Sequence, residues 1–103
     1  MTNLLSNVPA EMSEELIETL LSAKSVRIER IVSRGHASPH GFWYDQSEHE
    51  WVVLLQGAAR LQFDDGVQEM TAGDAVHIEA HRRHRVEWTD PAEATIWIGV
   101  YWR

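Results

Sequence analysis

The segment Glu50-Trp51-Val52-Val53-Leu54-Leu55-Gln56-Gly57 decides the fold, because it is an apolar run that begins with an acid and ends with a glycine. Side chains alternate between the two faces of a strand, so Glu50 shares one face with Val52 and Leu54. Trp51 lies on the opposite face. We therefore predict a strand that carries Glu50 toward the interior and leaves Trp51 outside, where another layer or a second subunit would cover it.

Further short strands flank this segment on both sides. From Val26 onward apolar and polar residues alternate, and the runs are separated by turn residues such as Asp64-Asp65-Gly66, which is a strong hairpin signal. The predicted strands cover residues 26–34, 42–45, 50–56, 59–63, 67–70, 75–78, 84–88 and 95–102. Many short strands at regular spacing are typical of an all-β sandwich or barrel.

The N-terminal part has a different pattern. Residues 1–12 form a predicted arm, and Ser13 followed by two acids is a good helix start, because the hydroxyl caps the backbone and the acids complement the helix dipole. Apolar residues then recur at helical spacing, at Leu16, Ile17, Leu20 and Leu21. We predict a short amphipathic helix that ends near Lys24, and a single domain made of an arm and helix (1–25) and a β-barrel (26–102).

The composition excludes several classes of protein. A chain of 103 residues of which 44% are hydrophobic forms one domain with a modest core. The formal net charge of −7 argues against a nucleic-acid partner, and no apolar stretch approaches the roughly eighteen residues that a membrane span needs. The absence of Cys excludes thiolate metal ligands and is compatible with a reducing cytoplasm, where we expect the protein to be located.

A second segment, residues 73–84, resembles in its spacing the second motif of the cupin superfamily, G-x5-P-x-G-x2-H-x3-N. Gly73 and His84 match this motif in identity. Glu79, His81 and Trp88 stand where the family has proline, glycine and asparagine. The resemblance is to small single-domain cupins, and it implies a double-stranded β-helix, or jelly-roll, barrel over most of residues 26–102.

The first cupin motif, G-x5-H-x-H-x3–4-E-x6-G, is matched at its end by Glu50 and Gly57, with the right gap of six. Its two histidines are missing. With a gap of four residues before Glu50 their positions fall on Trp43 and Asp45, and with a gap of three they fall on Tyr44 and Gln46. The resemblance thus implies a degenerate site, with His84 as its one imidazole.

Cupin sites usually hold a divalent metal, so the resemblance implies one here, with Fe, Mn, Ni, Zn or Cu as the candidates. The expected ligands are Asp45, Gln46, Glu50 and His84. The alternative is that Glu50 and His84 form a hydrogen-bonded polar pair with no metal. His40 and His49 could supply ligands from the loops, although the parity of His49 beside Glu50 argues against it.

Other residues are candidates for binding and acid–base work. Tyr44, Asp45 and Glu48 are the candidate acid–base groups. The candidate pocket residues are Trp43, Arg85 and Trp88, since aromatic rings and a guanidinium suit a small organic ligand. Arg82 and Arg83 are expected to be ordinary surface charges, and the role of Arg85 stays open.

Three functions remain open on the sequence alone. The first is a metal-dependent oxygenase-type or isomerase-type enzyme acting on a small organic substrate. The second is a binding or sensory module that holds a small molecule without catalysis, and the third is a regulatory protein that uses the barrel as a scaffold. In each case we expect a homodimer that buries Trp51, because an exposed Trp on the outer sheet face needs cover. The fold does not choose between these functions.

Overall fold

The computed structural model describes residues 1–103 and consists of eight strands without a helix. The strands are β1 (Leu16–Ser22), β2 (Val26–Ser33), β3 (His49–Gln56), β4 (Ala58–Phe63), β5 (Gly66–Thr71), β6 (Ala75–Ile78), β7 (His84–Thr89) and β8 (Thr95–Trp102). The all-β prediction is confirmed. No part of the chain forms a helix long and apolar enough to cross a membrane.

Two antiparallel sheets face each other across the core. One has five strands in the order β1-β2-β8-β3-β6, and the other has three in the order β5-β4-β7. Between them, Val52, Leu54 and Trp97 of the first sheet pack with Leu61 and Phe63 of the second. Each such side chain contributes about 1.5–3 kcal/mol when fully buried. The sheets do not join, so the predicted barrel is an open pair of facing sheets.

The predicted N-terminal helix is wrong, because residues 16–22 are the edge strand β1. Leu16 pairs with Val32 and Leu21 pairs with Ile28, and the register shifts by one residue between Thr19 and Leu21. This bulge breaks the period of two, so that Leu16 and Leu21 face the same side although they are five positions apart. The apolar spacing of a bulged strand therefore imitates that of a helix.

The strand predicted over residues 42–45 is also wrong. Only Tyr44 makes a ladder contact, in an isolated bridge to His84. The Tyr44 N–H donates to the His84 carbonyl at 2.7 Å, and the His84 N–H donates back at 3.2 Å. The rest of this aromatic stretch is loop, and the single bridge is enough to hold Tyr44 beside the start of β7.

The N-terminal arm packs on the outer face of the five-stranded sheet. Arg30 is buried there, and its guanidinium donates to the carbonyls of Leu4 (3.2 Å) and Ser6 (2.7 Å) and to the Glu18 carboxylate (2.6 Å). A buried charge needs such partners. Arg30 therefore anchors the arm, which covers one end of the sheet.

Gly57 is required between β3 and β4. Its φ is +91°, and an added Cβ would overlap the Thr95 hydroxyl and lie 2.7 Å from the Thr95 Cα atom. We expect Gly57→Ala to lower the free energy of unfolding by at least about 3 kcal/mol, from backbone strain and overpacking together. Gly73→Ala is the matched control, because Gly73 has a φ of +96° but open space around it, and should cost only about 1–2 kcal/mol. Equal losses in urea denaturation would contradict the packing argument.

Candidate ligand-binding site

A cavity of about 230 Å³ lies between the two sheets. Apolar side chains make up most of its wall, and a polar group of side chains lies at one end. The lining residues are Glu15, Ile17, Arg27, Glu29, Ile31, Tyr44, Gln46, Glu50, Val52, Leu61, Ile78, His84, Val86, Trp97 and Tyr101. Concave apolar pockets with a few converging polar groups are the usual form of small-molecule sites.

Glu50 is the centre of the polar group. It is only 8% exposed, and it enters the cavity from β3 with Val52, as the alternation of the strand predicts. Its Oε1 atom accepts a hydrogen bond from Gln46 Nε2 at 3.1 Å, and its Oε2 atom accepts one from the Tyr101 hydroxyl at 3.3 Å. The His84 Nε2 atom lies 3.5 Å from Glu50 Oε1. Two hydrogen-bond donors and the imidazole of His84 therefore surround this buried carboxylate.

His84 faces Glu50 from the opposite sheet and is 5% exposed. Its Nδ1 atom donates to the Arg82 carbonyl at 2.9 Å, which leaves Nε2 directed at the carboxylate. The Tyr44 ring stacks on the imidazole with centroids 5.3 Å apart. Burial lowers the pKa of His84, but the contact with Glu50 and the Arg82 carbonyl outweigh it, so the net pKa is raised above the ordinary 6.5. The contact with Glu50 thus favours the protonated form of the His84 imidazole.

Tyr101 reaches Glu50 because residue 99 has no side chain. Tyr101 and Gly99 lie on the same face of β8, and a Cβ on Gly99 would come within 2.8 Å of the Tyr101 hydroxyl. The glycine makes room for the ring to fold back along its own strand. Burial, followed by the charges of Glu50 and Glu29, raises the pKa of Tyr101, and burial likewise raises the pKa of Tyr44. Both phenols are therefore hydrogen-bond donors at neutral pH.

The loop before β3 decides which residues replace the two missing histidines of the first cupin motif. Tyr44 and Gln46 both line the cavity, whereas Trp43 and Asp45 do not. This arrangement corresponds to a gap of three residues before Glu50. The bridge from Tyr44 to His84 fixes the parity, because it turns Tyr44 and Gln46 to the inside.

Asp45 and Glu48, two of the sequence candidates, lie away from the cavity. Asp45 is exposed and its Oδ1 atom contacts the Nδ1 atom of the exposed His81 at 2.7 Å. Glu48 holds the guanidinium of Arg27 through both carboxylate oxygens, at 3.1 and 3.2 Å. Neither carboxylate faces Glu50, so we leave both out of the site.

The three candidate pocket residues are not in the cavity wall. Trp43 packs beneath the Arg83 guanidinium at 4.8 Å, outside the cavity. Arg85 donates to the carbonyls of Phe42 and Ser38 and to the Gln62 side chain, so its donors hold the loop on the sheet. In these contacts Arg85 joins the loop to β4.

Trp88 lies outside because of a bulge in β7. Leu61 pairs with Val86 and Arg60 pairs with Trp88, so Glu87 is the extra residue. The bulge reverses the alternation, and Trp88 faces outward under the Arg60 guanidinium at 4.7 Å. Strict alternation from His84 would have placed Trp88 inside, which is why the sequence misleads here.

Of the six histidines, only His84 lines this cavity. His77 is exposed, as its parity predicts, and stacks on Trp102 with centroids 5.5 Å apart. His49 accepts a hydrogen bond from the Ala80 N–H through Nδ1 at 3.1 Å. His40 is exposed in the loop. Neither His40 nor His49 therefore lines the cavity.

Four residues that line the cavity were not predicted as site residues from the sequence: Arg27, Glu29, Trp97 and Tyr101. Trp97, Gly99 and Tyr101 alternate along β8, and this parity was the available signal. The indole Nε1 atom of the buried Trp97 has no hydrogen-bond partner. Arg27 and Glu29 lie on the cavity face of β2, and the guanidinium of Arg27 packs 4.5 Å from the Tyr101 ring centre.

The donor set of the cavity does not fit a resident divalent metal. Glu50 and His84 approach each other in the cavity, but no group of three His, Cys, Asp or Glu side chains comes together anywhere in the chain. Metal sites in proteins usually have at least three protein ligands. Each oxygen of the Glu50 carboxylate also already accepts a hydrogen bond, from Gln46 and from Tyr101.

A family model described as a cupin domain matches residues 31–101 of the chain. The chain is a cupin. The predicted resemblance to the cupin superfamily is thereby confirmed, and the facing sheets are the two halves of its jelly roll. No curated protein matches this cupin significantly.

Solved structures agree with the family. A protein from Ralstonia eutropha JMP134, provisionally named a mannose-6-phosphate isomerase, is 43% identical; the match covers 99% of this chain and 96% of that one, with a TM-score of 0.96. A cupin superfamily protein from Desulfitobacterium hafniense DCB-2 is 18% identical with a TM-score of 0.76, covering 92% and 83%. A Streptococcus pyogenes protein of unknown function is 18% identical with a TM-score of 0.79, covering 100% and 86%. These last two show the fold alone.

The Glu50–His84 contact predicts how the pKa of His84 responds to mutation. Because Glu50 raises the pKa of His84, Glu50→Gln should lower that pKa, since the effect of burial is then opposed only by the hydrogen bond to the Arg82 carbonyl. A raised folded pKa stabilises the protein fully below the unfolded pKa of about 6.5, and this contribution is lost as the pH rises through the folded pKa. The imidazole signals in an NMR titration report the shift.

Tyr101→Phe is the control for this titration, because it removes one donor to Glu50 without removing the carboxylate. It should leave the pKa of His84 above 6.5. An unchanged His84 pKa in Glu50→Gln would contradict the assigned contact.

Proposed function

We propose that this cupin is a cytoplasmic protein that binds a small organic molecule between its two sheets and transfers a proton on it with Glu50 and His84. This is isomerase-type chemistry that does not require a resident metal. The observation that carries the proposal is the buried pair itself, in which the two groups lie 3.5 Å apart at the polar end of a cavity. Such a carboxylate–imidazole pair is a usual acid–base unit in enzymes.

The roles of the neighbouring residues follow from their hydrogen bonds. Gln46 and Tyr101 hold the Glu50 carboxylate in place, and the Arg82 carbonyl holds the imidazole. Tyr44 has its hydroxyl protonated and stacks on His84, so it is placed to donate a hydrogen bond to a ligand oxygen. The apolar wall of Leu61, Val86 and Trp97 would exclude water from the reacting atoms.

The name of the Ralstonia relative supports an isomerase activity, because that protein is 43% identical to this chain. A sugar isomerase moves a proton next to a carbonyl group, which needs a base and an acid in one cavity. Glu50 and His84 supply this pair. An oxygenase would need a redox metal, and the pair of Glu50 and His84 supplies too few ligands to hold one.

The test is proton exchange with solvent. The protein, treated with a chelator, is incubated in D₂O with aldoses, ketoses and their phosphates, mannose 6-phosphate included, and NMR follows deuterium entering the carbon next to the carbonyl group. We expect exchange with at least one compound, and a loss of at least about 100-fold in Glu50→Gln and in His84→Asn. Asp45→Asn is the matched control, because Asp45 lies outside the cavity, and should exchange at the wild-type rate.

The outcomes separate the alternatives. Exchange that appears only after a divalent metal is restored would overturn the metal-free proposal in favour of a metal site at Glu50 and His84. The arrangement that favours this second candidate is the Nδ1 bond of His84 to a carbonyl, which is common in metal-binding histidines. Ligands that bind without any exchange would point instead to a non-catalytic binding or regulatory cupin.

We also propose a homodimer formed through the outer face of the five-stranded sheet. Four cross-strand neighbours form an uncharged row there, in which Trp51 pairs with Val100, Val100 with Ile28, and Ile28 with Leu21. Trp51 is 40% exposed and Leu21 53% exposed. A flat apolar row can pack against its own copy about a two-fold axis, as in a sandwich of sheets.

Trp51→Glu should convert the dimer to a monomer in sedimentation experiments, because it places a charge in the interface. Val67→Glu is the matched control, since Val67 is 51% exposed but lies on β5 in the other sheet. A wild-type monomer at micromolar concentration, or a dimer that tolerates Trp51→Glu, would overturn this interface.

A further inference from the structure

The charge at the opening of the cavity affects which ligands can enter. A second depression of about 370 Å³ lies between residues 13–17 and residues 36–39. It shares Glu15, Ile17, Tyr44 and Val86 with the inner cavity, so the two adjoin and together extend from the polar pair toward the surface. A ligand that reaches Glu50 and His84 by this path passes Glu14 and Glu15.

Carboxylates outnumber cations along this path. The inner cavity is lined by the carboxylates of Glu15, Glu29 and Glu50, against the guanidinium of Arg27 and the imidazole of His84. The outer depression adds Glu14 and no Lys or Arg. Glu15 is fixed in this position, because its Oε2 atom accepts a hydrogen bond from the Ser33 hydroxyl at 3.0 Å.

The one guanidinium of the cavity is already occupied. Arg27 donates to both oxygens of Glu48 and, through Nε, to Glu29 at 3.0 Å. Its flat face packs on Tyr101. An arginine that recognises a phosphate needs its paired N–H groups free for that anion. Arg27 has none of its forked donor pairs free.

The other arginines near this end of the molecule are engaged as well. Arg85 binds two carbonyls and Gln62, and Arg83 contacts the Asp64 carboxylate at 3.3 Å. Arg82 lies 3.8 Å from Asp65 and packs on Phe63. None of these three lines the cavity or its opening.

From these contacts we propose that the cavity selects a neutral or cationic small molecule and excludes phosphate esters and other anions. This inference rests on the proposed function and narrows its substrate class, because it removes the phosphorylated sugars from the candidates. An anion entering the cavity would lose its hydration next to two uncompensated acids at the opening, whereas a cation would gain from the same field. The ligand then offers hydroxyl or carbonyl oxygens to the donors around Glu50.

The test uses the absence of Cys from the natural chain. Val86→Cys introduces a single thiol where the inner cavity meets its opening, at nearly constant volume. Its thiolate attacks a methanethiosulfonate reagent, forms a disulfide and releases methanesulfinate. Three reagents are compared at low salt: a neutral methyl reagent, a trimethylammonium-ethyl reagent and a sulfonato-ethyl reagent, each normalised to its rate with a free neutral thiol.

We expect the normalised rate of the cationic reagent to exceed that of the anionic one by at least about tenfold, and the ratio to fall toward one at high salt as the charges are screened. Glu15→Gln in the same background should reduce the ratio about threefold. Glu69→Gln is the matched control, because Glu69 is exposed on β5 and pairs with Arg60 outside the cavity, and it should leave the ratio unchanged.

Three other outcomes would overturn either this inference or the proposed function. An anionic reagent that reacts as fast as the cationic one overturns the inference and leaves the proposed function standing. Equal effects of Glu15→Gln and Glu69→Gln also overturn it, since the net charge of −7 would then explain the ratio. If the neutral reagent does not react with the Val86→Cys thiol, the cavity is closed and the proposed function itself fails.

A second variant covers the case in which Val86→Cys does not fold. Ile17→Cys places the thiol at the opening, on the edge strand β1, where the side chain is 54% exposed and lines both depressions. The same ratio and the same two Gln variants are measured. The expected values and the overturning results are unchanged.

Discussion

The burial of the Glu50 carboxylate is the constraint on which the rest of the site depends. A carboxylate that is 8% exposed is destabilising by several kcal/mol unless donors surround it. Its two donors and its imidazole neighbour come from different parts of the chain: Gln46 from the loop before β3, Tyr101 from β8 and His84 from β7 of the opposite sheet. Satisfying this one group therefore ties the loop and both sheets together, and it fixes the polar end of the cavity.

Two arginines of this cupin hold irregular backbone segments in place by hydrogen bonding to their carbonyl groups. Loops that cross a sheet leave carbonyl groups without ladder partners, and a guanidinium can satisfy several of them at once. Arg30 does this for the N-terminal arm and Arg85 does it for the loop that carries Tyr44. Because these donors are used for structure, they are not free for anionic ligands. The sequence shows that Arg85 follows His84, but it does not show that the N–H donors of Arg85 are already used in hydrogen bonds.

The sequence predicted most of the sheet architecture and only part of the site. Strands β6 and β8 were predicted with their observed bounds, because their apolar runs end at clear turn residues. Glu50 and His84 were both placed in the interior, since alternation along a regular strand and the cupin spacing agree on them. The predicted helix and the inward placement of Trp88 failed for one physical reason. Bulges in β1 and β7 change the parity of the strand, and no residue pattern in Leu16–Ser22 or in His84–Thr89 marks where the extra residue falls.

The two positions that lost histidine explain why the site differs from a metal centre. Tyr44 and Gln46 occupy the inward positions there, and both carry neutral hydrogen-bonding groups, with the pKa of Tyr44 raised so that its phenol keeps its proton. A buried carboxylate requires positive charge or hydrogen-bond donors around it, and neutral side chains supply donors to Glu50. Gln46 supplies one, and Tyr44 stacks on the imidazole that lies 3.5 Å from the carboxylate. Hydrogen bonds from neutral side chains thus help to balance the acid, and the contact with Glu50 favours the protonated form of His84.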